Sequence, residues 1–207
     1  MSFVSAPLVL ASGSSARRQM LEAVGLDPII APAAVDEDEV KASCKQAGLT
    51  AAETAEALAE TKAQRVAAKY PDHYVLGCDQ IMSLSVTGEE TLWFDKPKDA
   101  NDLKNHLETI SGKTHHLETA AVLLYRGARI WHQVTRPALT VRRLSTEFID
   151  SYIAAGGDDL LACVGGYQIE GLGPHLFTRI EGDEFSIRGL PLLALLGFLR
   201  DRNVVPG

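Results

Sequence analysis

The first apolar positions form a short unbroken run, Pro7–Ala11 (PLVLA), the pattern of a strand buried on both faces. A small polar loop, SGSS, follows it. Within Ala16–Val24, Met20, Leu21 and Val24 recur at helical spacing, and Gly25 supplies the stop. The unit is strand, small-polar loop, helix. Pro28–Ala34 is apolar but holds two prolines, which predicts an edge strand or extended segment. It runs into the acids Asp36–Glu39, read as a solvated loop. From Thr50 to Lys69 the chain is Ala-rich, with Thr50 and Glu53 spaced as a capping box and Pro71 closing the helix.

His73–Leu84 (HYVLGCDQIMSL) reads as a strand, Thr87-Gly88 as a hairpin turn and Thr91–Phe94 as the returning strand. Asp99–Ile110 is an amphipathic helix ended by Ser111-Gly112. The runs His115–Tyr125 and Ala128–Arg143, separated by Arg126-Gly127, predict an antiparallel pair. Thr146–Ala155 has helical spacing, Gly165–Gly173 is a Gly-rich shaped loop, His175–Glu181 a strand and Leu190–Arg202 a terminal helix. Helices interleave with strands of both kinds, so the class is α/β with a mixed central sheet and flanking helices. No repeat, low-complexity tract or linker interrupts the 207 residues, which are read as one domain, 1–207.

Composition narrows the function. Lys and Arg number 20 against 27 Asp and Glu, a formal net charge of −7. Broad nucleic-acid binding needs a basic surface to displace counterions, so nucleic acid is excluded as the partner. A small anionic ligand is not, because a few local cations can make a pocket positive inside an acidic protein. Cys44, Cys78 and Cys163 are odd in number, far apart and never in a CxxC pair, which fits a reducing compartment better than a disulfide framework. The N-terminus lacks the basic and long apolar regions of a leader. The apolar stretch near Leu190–Leu199 is broken by Pro191 and Gly197 and is too short to cross a bilayer. A cytoplasmic protein without a membrane partner is expected.

Several side chains could carry chemistry. The SGSS loop leads into a helix N-terminus, where unpaired N–H groups and small residues let a phosphate come close. Arg17 and Arg18 lie in that first turn, where cations oppose the helix dipole. A bound anion accounts for them, and on pattern alone a solvated surface pair does equally well. Asp79 interrupts an apolar strand, a costly position unless it faces a polar site, a metal or a paired cation. Lys62 in ETKAQ and Lys96 in DKPKD are, taken singly, solvated lysines, and Asp36–Glu39 has the oxygen ligands that Mg²⁺ prefers. His115 and His116 point to opposite faces of a strand and do not share a metal. Cys78 lacks the partners of a nucleophile and reads as a small buried hydrophobe.

In order along the chain stand LASGSSARRQML, ALAETKAQ, GCDQIM, FDKPKD, SGKTHHLETAAVLL, GGYQIEGLG and FSIRGLPL. Together they resemble the Maf family, septum-formation-inhibitor homologues that act as nucleoside triphosphate pyrophosphatases. The likeness covers nearly the whole chain. It implies a two-lobed fold related to inosine triphosphatases, with a cleft between the lobes, and a homodimer. By the same resemblance Ser12 and Arg17 bind phosphate, Glu37, Lys62 and Lys96 line the same cleft, and Asp79 is the proton acceptor. A divalent cation, Mg²⁺ or Mn²⁺, assists, with Glu37 and Asp79 as candidate ligands. The implied substrate is a nucleoside triphosphate, and the implied service is to keep modified nucleotides out of nucleic acid. Gln80 and Glu170 match the branch acting on 7-methyl-GTP, and a carboxylate at 170 can accept hydrogen bonds from a guanine edge. Ala16 stands where that branch has an aromatic residue, and alanine cannot stack on a base; Ser15 replaces the expected proline. The competing class is a nucleotide sensor restraining septum formation and cell division, with little turnover; such a sensor has no need of Asp79 besides the cations.

Overall fold

The computed structural model describes residues 7–88 and 90–206, so the N-terminal segment read as lacking a leader lies partly outside the described residues. Among the described residues eight strands form a mixed sheet flanked by helices, in the order β2 (Ile29–Ile30), β1 (Leu8–Leu10), β3 (Tyr74–Leu84), β5 (Thr114–Tyr125), β7 (Ala138–Val141), β8 (Phe177–Glu181), with β4 (Leu92–Phe94) on β3 and β6 (Ala128–Thr135) on β5. The chain divides into two compact units. The first takes in residues up to Asp79, Thr119–Thr135 and the segment from Arg188; the second takes in Gln80–Glu118 and Arg136–Ile187. Two of the four divisions fall inside long strands, β3 (Tyr74–Leu84) and β5 (Thr114–Tyr125), where no linker could show in the sequence.

In the first unit β1 (Leu8–Leu10) is buried at every position, as its unbroken apolar run predicts, and pairs in parallel with β3 and with β2 (Ile29–Ile30). Ile29 and Ile30 stay exposed on the edge strand. Helix α1 (Ser15–Ala23) follows the SGSS loop. Helix α3 (Ala51–Ala67) starts on the expected capping box: Glu53 N donates to Thr50 Oγ1 at 3.3 Å and Thr50 N to Glu53 Oε2 at 2.8 Å. Its alanines give it a thin face. A Cβ at Gly77 of β3 would sit 2.0 Å from the Ala59 carbonyl oxygen, so glycine is what lets α3 lie directly against the strand. Strand β6 (Ala128–Thr135) pairs antiparallel with β5 and packs against α7 (Leu192–Asp201), with Trp131 and Phe198 rings 6.0 Å apart.

Two expectations are corrected. Asp36–Glu39 is not a loop: Glu37–Gln46 form helix α2, capped by Asp36, which accepts from Glu39 N at 3.0 Å. Acids in a first turn suit the helix dipole, and α2 buries no residue, so no apolar period announced it. The run Ala128–Arg143 is two strands, β6 and β7 (Ala138–Val141), because Pro137 has no N–H to continue the ladder.

In the second unit β4 (Leu92–Phe94) returns antiparallel along β3, and β7 pairs with both β5 and β8 (Phe177–Glu181). Helix α4 (Ala100–Ile110), capped by Asp99, buries Leu103, Leu107 and Ile110 completely, contributing about 1.5–3 kcal/mol each. They pack with Leu117, Leu139, Leu176 and with Ile149 of α5 (Thr146–Gly156). The Gly-rich segment Gly165–Gly173 is irregular as expected, and a short helix, α6 (Glu184–Ile187), follows β8. No described helix is long and apolar enough to cross a membrane.

Candidate active site

The first unit gathers five of the sequence-selected residues: Ser12, Arg17, Glu37, Lys62 and Asp79. Arg17 leaves the first turn of α1 and folds onto backbone. Its Nε donates to the Gly189 carbonyl at 2.8 Å, and its Nη1 to the Cys78 carbonyl and to Ser12 Oγ, both at 3.1 Å. These acceptors stabilise a cation that the α1 dipole alone would repel. Arg18 has the other fate, pairing with Glu22 one turn along an exposed helix face at 2.7 Å. The two arginines that looked alike in sequence thus separate into a built-in group and a solvated one.

Ser12 is buried, and its Oγ accepts from Ser14 N at 3.2 Å as well as from Arg17. A hydroxyl has two acceptor positions and one hydrogen. Both acceptor positions are taken, so what Ser12 has left to offer is a donor. Lys62, on the face of α3 that lies over Gly77, places Nζ 2.6 Å from Asp79 Oδ1 and 2.7 Å from Glu37 Oε1. An ammonium has three hydrogens, and these carboxylates account for two. Arg17 similarly keeps Nη2 without a protein partner among the described residues. On the acceptor side, Asp79 Oδ2 is buried with no hydrogen-bond partner. The cluster therefore combines unfilled donors on three side chains with one unfilled carboxylate oxygen.

Burial is the largest influence on Asp79 and raises its pKa, opposed by the charge and hydrogen bond of Lys62 and by the charge of Arg17. A carboxylate held nearer neutrality is a better proton acceptor than an exposed one. Cys78, adjacent in the strand, is fully buried and its thiol is pushed up to about 11, so it stays protonated at neutral pH and is no nucleophile. His115 is buried in the second unit against the Tyr167 hydroxyl at 2.7 Å, and His116 lies on the opposite face of β5, as expected of strand neighbours.

Residues 7–202 match the Maf-like protein family. The chain belongs to the Maf family. Among its Maf relatives, a nucleoside triphosphate pyrophosphatase of Granulibacter bethesdensis is 50% identical over 198 residues, covering 96% of this chain and 98% of the relative. One of Hyphomonas neptunium is 48% identical over 203 residues, 98% of this chain and all of the relative. A 7-methyl-GTP pyrophosphatase of Rhizobium etli is 44% identical over 200 residues, 97% of this chain and 98% of the relative.

The remaining Maf positions, Gln80, Lys96 and Glu170, belong to the second unit. Gln80 Nε2 donates to the Ser186 and Ile187 carbonyls, both at 3.1 Å, so its amide orientation is fixed by backbone. Lys96 and Glu170 are exposed and share a neighbourhood around Cys163, whose thiol burial pushes up, with Lys96 lowering it and Glu170 raising it. Ala16 is half-buried in the first turn of α1. Sequence reading missed Gly77, Gly189 and the Cys78 carbonyl. Gly77 carried a usable signal, an isolated glycine inside a strand pattern, which marks a close backbone approach.

Proposed function

We propose that this protein is a nucleoside triphosphate pyrophosphatase, cleaving a nucleoside triphosphate to the monophosphate and pyrophosphate. The observation that carries the reading is the match between unfilled groups and reaction. Donors left on Ser12, Arg17 and Lys62 suit a polyanion, and the lone unfilled acceptor, Asp79 Oδ2, suits a water molecule. The names borne by the Maf relatives support it.

In the reaction Asp79 Oδ2 takes a proton from water while the water oxygen forms a bond to the α-phosphorus. The bond from that phosphorus to the α–β bridging oxygen breaks, and pyrophosphate leaves with the electron pair. Lys62 holds Oδ1, so the carboxylate is oriented before substrate arrives. Arg17 Nη2, the Ser12 hydroxyl and the third Lys62 hydrogen offset charge on the phosphates. A divalent cation fits the donor set: Asp79 and Glu37, both ion-paired to Lys62, bring two carboxylates into one cluster. Among the described residues no three His, Cys, Asp or Glu gather as a metal cage. Mg²⁺ or Mn²⁺ would be held by Asp79 and Glu37 together with oxygens that the protein does not supply. When bound, the ion would neutralise part of the triphosphate charge.

For the base, Glu170 offers an acceptor to a guanine edge, which favours 7-methyl-GTP or another modified purine, and Ala16 withholds a stacking ring. The enzyme would then keep modified nucleotides out of nucleic acid, as a cytoplasmic homodimer. A panel of 7-methyl-GTP, dTTP, UTP and common modified nucleotides, assayed for pyrophosphate release with Mg²⁺, tests the activity. Release from at least one is expected. Binding of nucleotides without release from any would replace the enzyme by a sensor acting on cell division.

A further inference from the structure

Gly189 is buried and holds φ at +98°, in the region L side chains rarely adopt. Turn geometry accounts for other glycines of positive φ: at Gly48, Gly88, Gly127 and Gly157 an added Cβ would meet nothing within 4 Å. Gly189 differs. A Cβ there would lie 3.2 Å from Arg17 Nε, 3.2 Å from Nη2 and 3.6 Å from Cζ, against the Nε/Nη2 edge of the guanidinium. Its carbonyl accepts the Nε hydrogen at 2.8 Å. The next residues fix this backbone firmly: Leu190 is fully buried and Pro191 opens α7, which buries Leu192, Leu195 and Leu199.

We propose that Gly189 is a positioning residue for the phosphate site. Its missing side chain leaves room for the Nε/Nη2 edge of the Arg17 guanidinium, and its carbonyl, accepting from Nε, fixes the rotation that leaves Nη2 for a phosphate oxygen. The inference rests on the reading of Arg17 as a phosphate ligand. A methyl group at 189 would push the planar group off this seat by a few tenths of an ångström. The guanidinium is one rigid plane, so Nη2 and the hydrogen bonds of Nε and Nη1 shift together.

The test is a double-mutant cycle on the full chain, with inorganic pyrophosphate as the probe in titration calorimetry and a thermal melt beside each variant. Gly189→Ala is expected to weaken pyrophosphate binding by about tenfold and to raise KM more than it lowers kcat. That is less than the roughly 10²-fold cost of a 1 Å displacement at a reacting centre. In an Arg17→Ala background the same substitution is expected to change pyrophosphate affinity no further, since the slot is then empty. Equal losses in both backgrounds would overturn the role of Gly189. Unchanged affinity in Arg17→Ala alone would overturn instead the reading of Arg17 as a ligand. Strain at φ +98° can also cost folding, so a second measurement uses the unaltered protein. By NMR the Arg17 Nε–H should be rigid and protected from exchange before pyrophosphate is added, and should stay so afterwards. An Arg17 Nε–H as mobile as that of exposed Arg18 would overturn the proposal.

Discussion

Asp79 and Glu118 are the buried carboxylates among the described residues, one in each unit, and each leaves one oxygen without a partner. Their company differs. Glu118 Oε1 accepts from the buried Ser83 hydroxyl and from Arg136 Nε, both at 2.8 Å, and Arg136 opens onto solvent. The charge is met by a cation of its own, whose remaining donors face solvent, and the neighbouring His116 leaves only a ring nitrogen without a partner. Asp79 shares its lysine with Glu37, and the groups around it, Ser12, Arg17 and Lys62, retain donors. An orphan oxygen alone therefore does not mark a reacting group. An orphan oxygen among several donors that are themselves withdrawn from solvent does.

The largest expected effect separates the two acids directly. Asp79→Asn should lower kcat by about 10²–10⁴-fold, the scale of a lost general base, with pyrophosphate affinity nearly retained. Glu118→Gln should leave kcat where it was. A steady-state assay of pyrophosphate release reads both, and comparable losses would erase the distinction. Next in size is the cation of each acid. Lys62→Met strands a buried carboxylate and should cost about 3–5 kcal/mol in urea unfolding. Arg136→Met removes a hydrogen bond from a partly exposed donor and should cost about 1.5–3 kcal/mol; the reverse order would show that Glu118 carries the heavier electrostatic load. Smallest, counted per pH unit, is a titration effect in the second unit. Burial lowers the His115 pKa from 6.5 to about 3, so the unfolded chain takes up this proton first. Its contribution is full above pH 6.5 and declines as pH falls towards 3, with a slope of about 1.4 kcal/mol per pH unit. His115→Gln should flatten that slope in denaturation curves taken across the window, and an unaltered slope would remove His115 as its source.

Most helices and strands were legible in sequence because their periods reflect burial: α4 shows its Leu103, Leu107, Ile110 face, and β1 its unbroken run. Helix α2 was not legible, since a helix that buries nothing has no apolar period to read; its signals were Asp36 as a cap and the acids of the first turn. The types of residue at the site were legible too, a lone acid in an apolar strand and cations at a helix start. Their pairing was not. That Lys62 meets Asp79 depends on contact between α3 and β3, and that Arg17 meets Gly189 on a separation of 172 positions. Local pattern carries no record of such partners. The boundary inside β3 and β5 escaped for a related reason, because a strand that serves two units looks like one strand.

Gly77 has a consequence for how this sequence can drift. Where helix and strand meet through side chains, an exchange of one core residue for another of different volume shifts the elements, and any groups they carry shift with them. Between α3 and β3 at Gly77 the contact is the Ala59 carbonyl and Ala63, whose side chain is a single methyl, so backbone rests almost on backbone. The spacing of Lys62 and Asp79 is then set by peptide geometry, which is common to all sequences. The surrounding core can change composition over generations while that spacing holds, provided position 77 itself never gains a carbon.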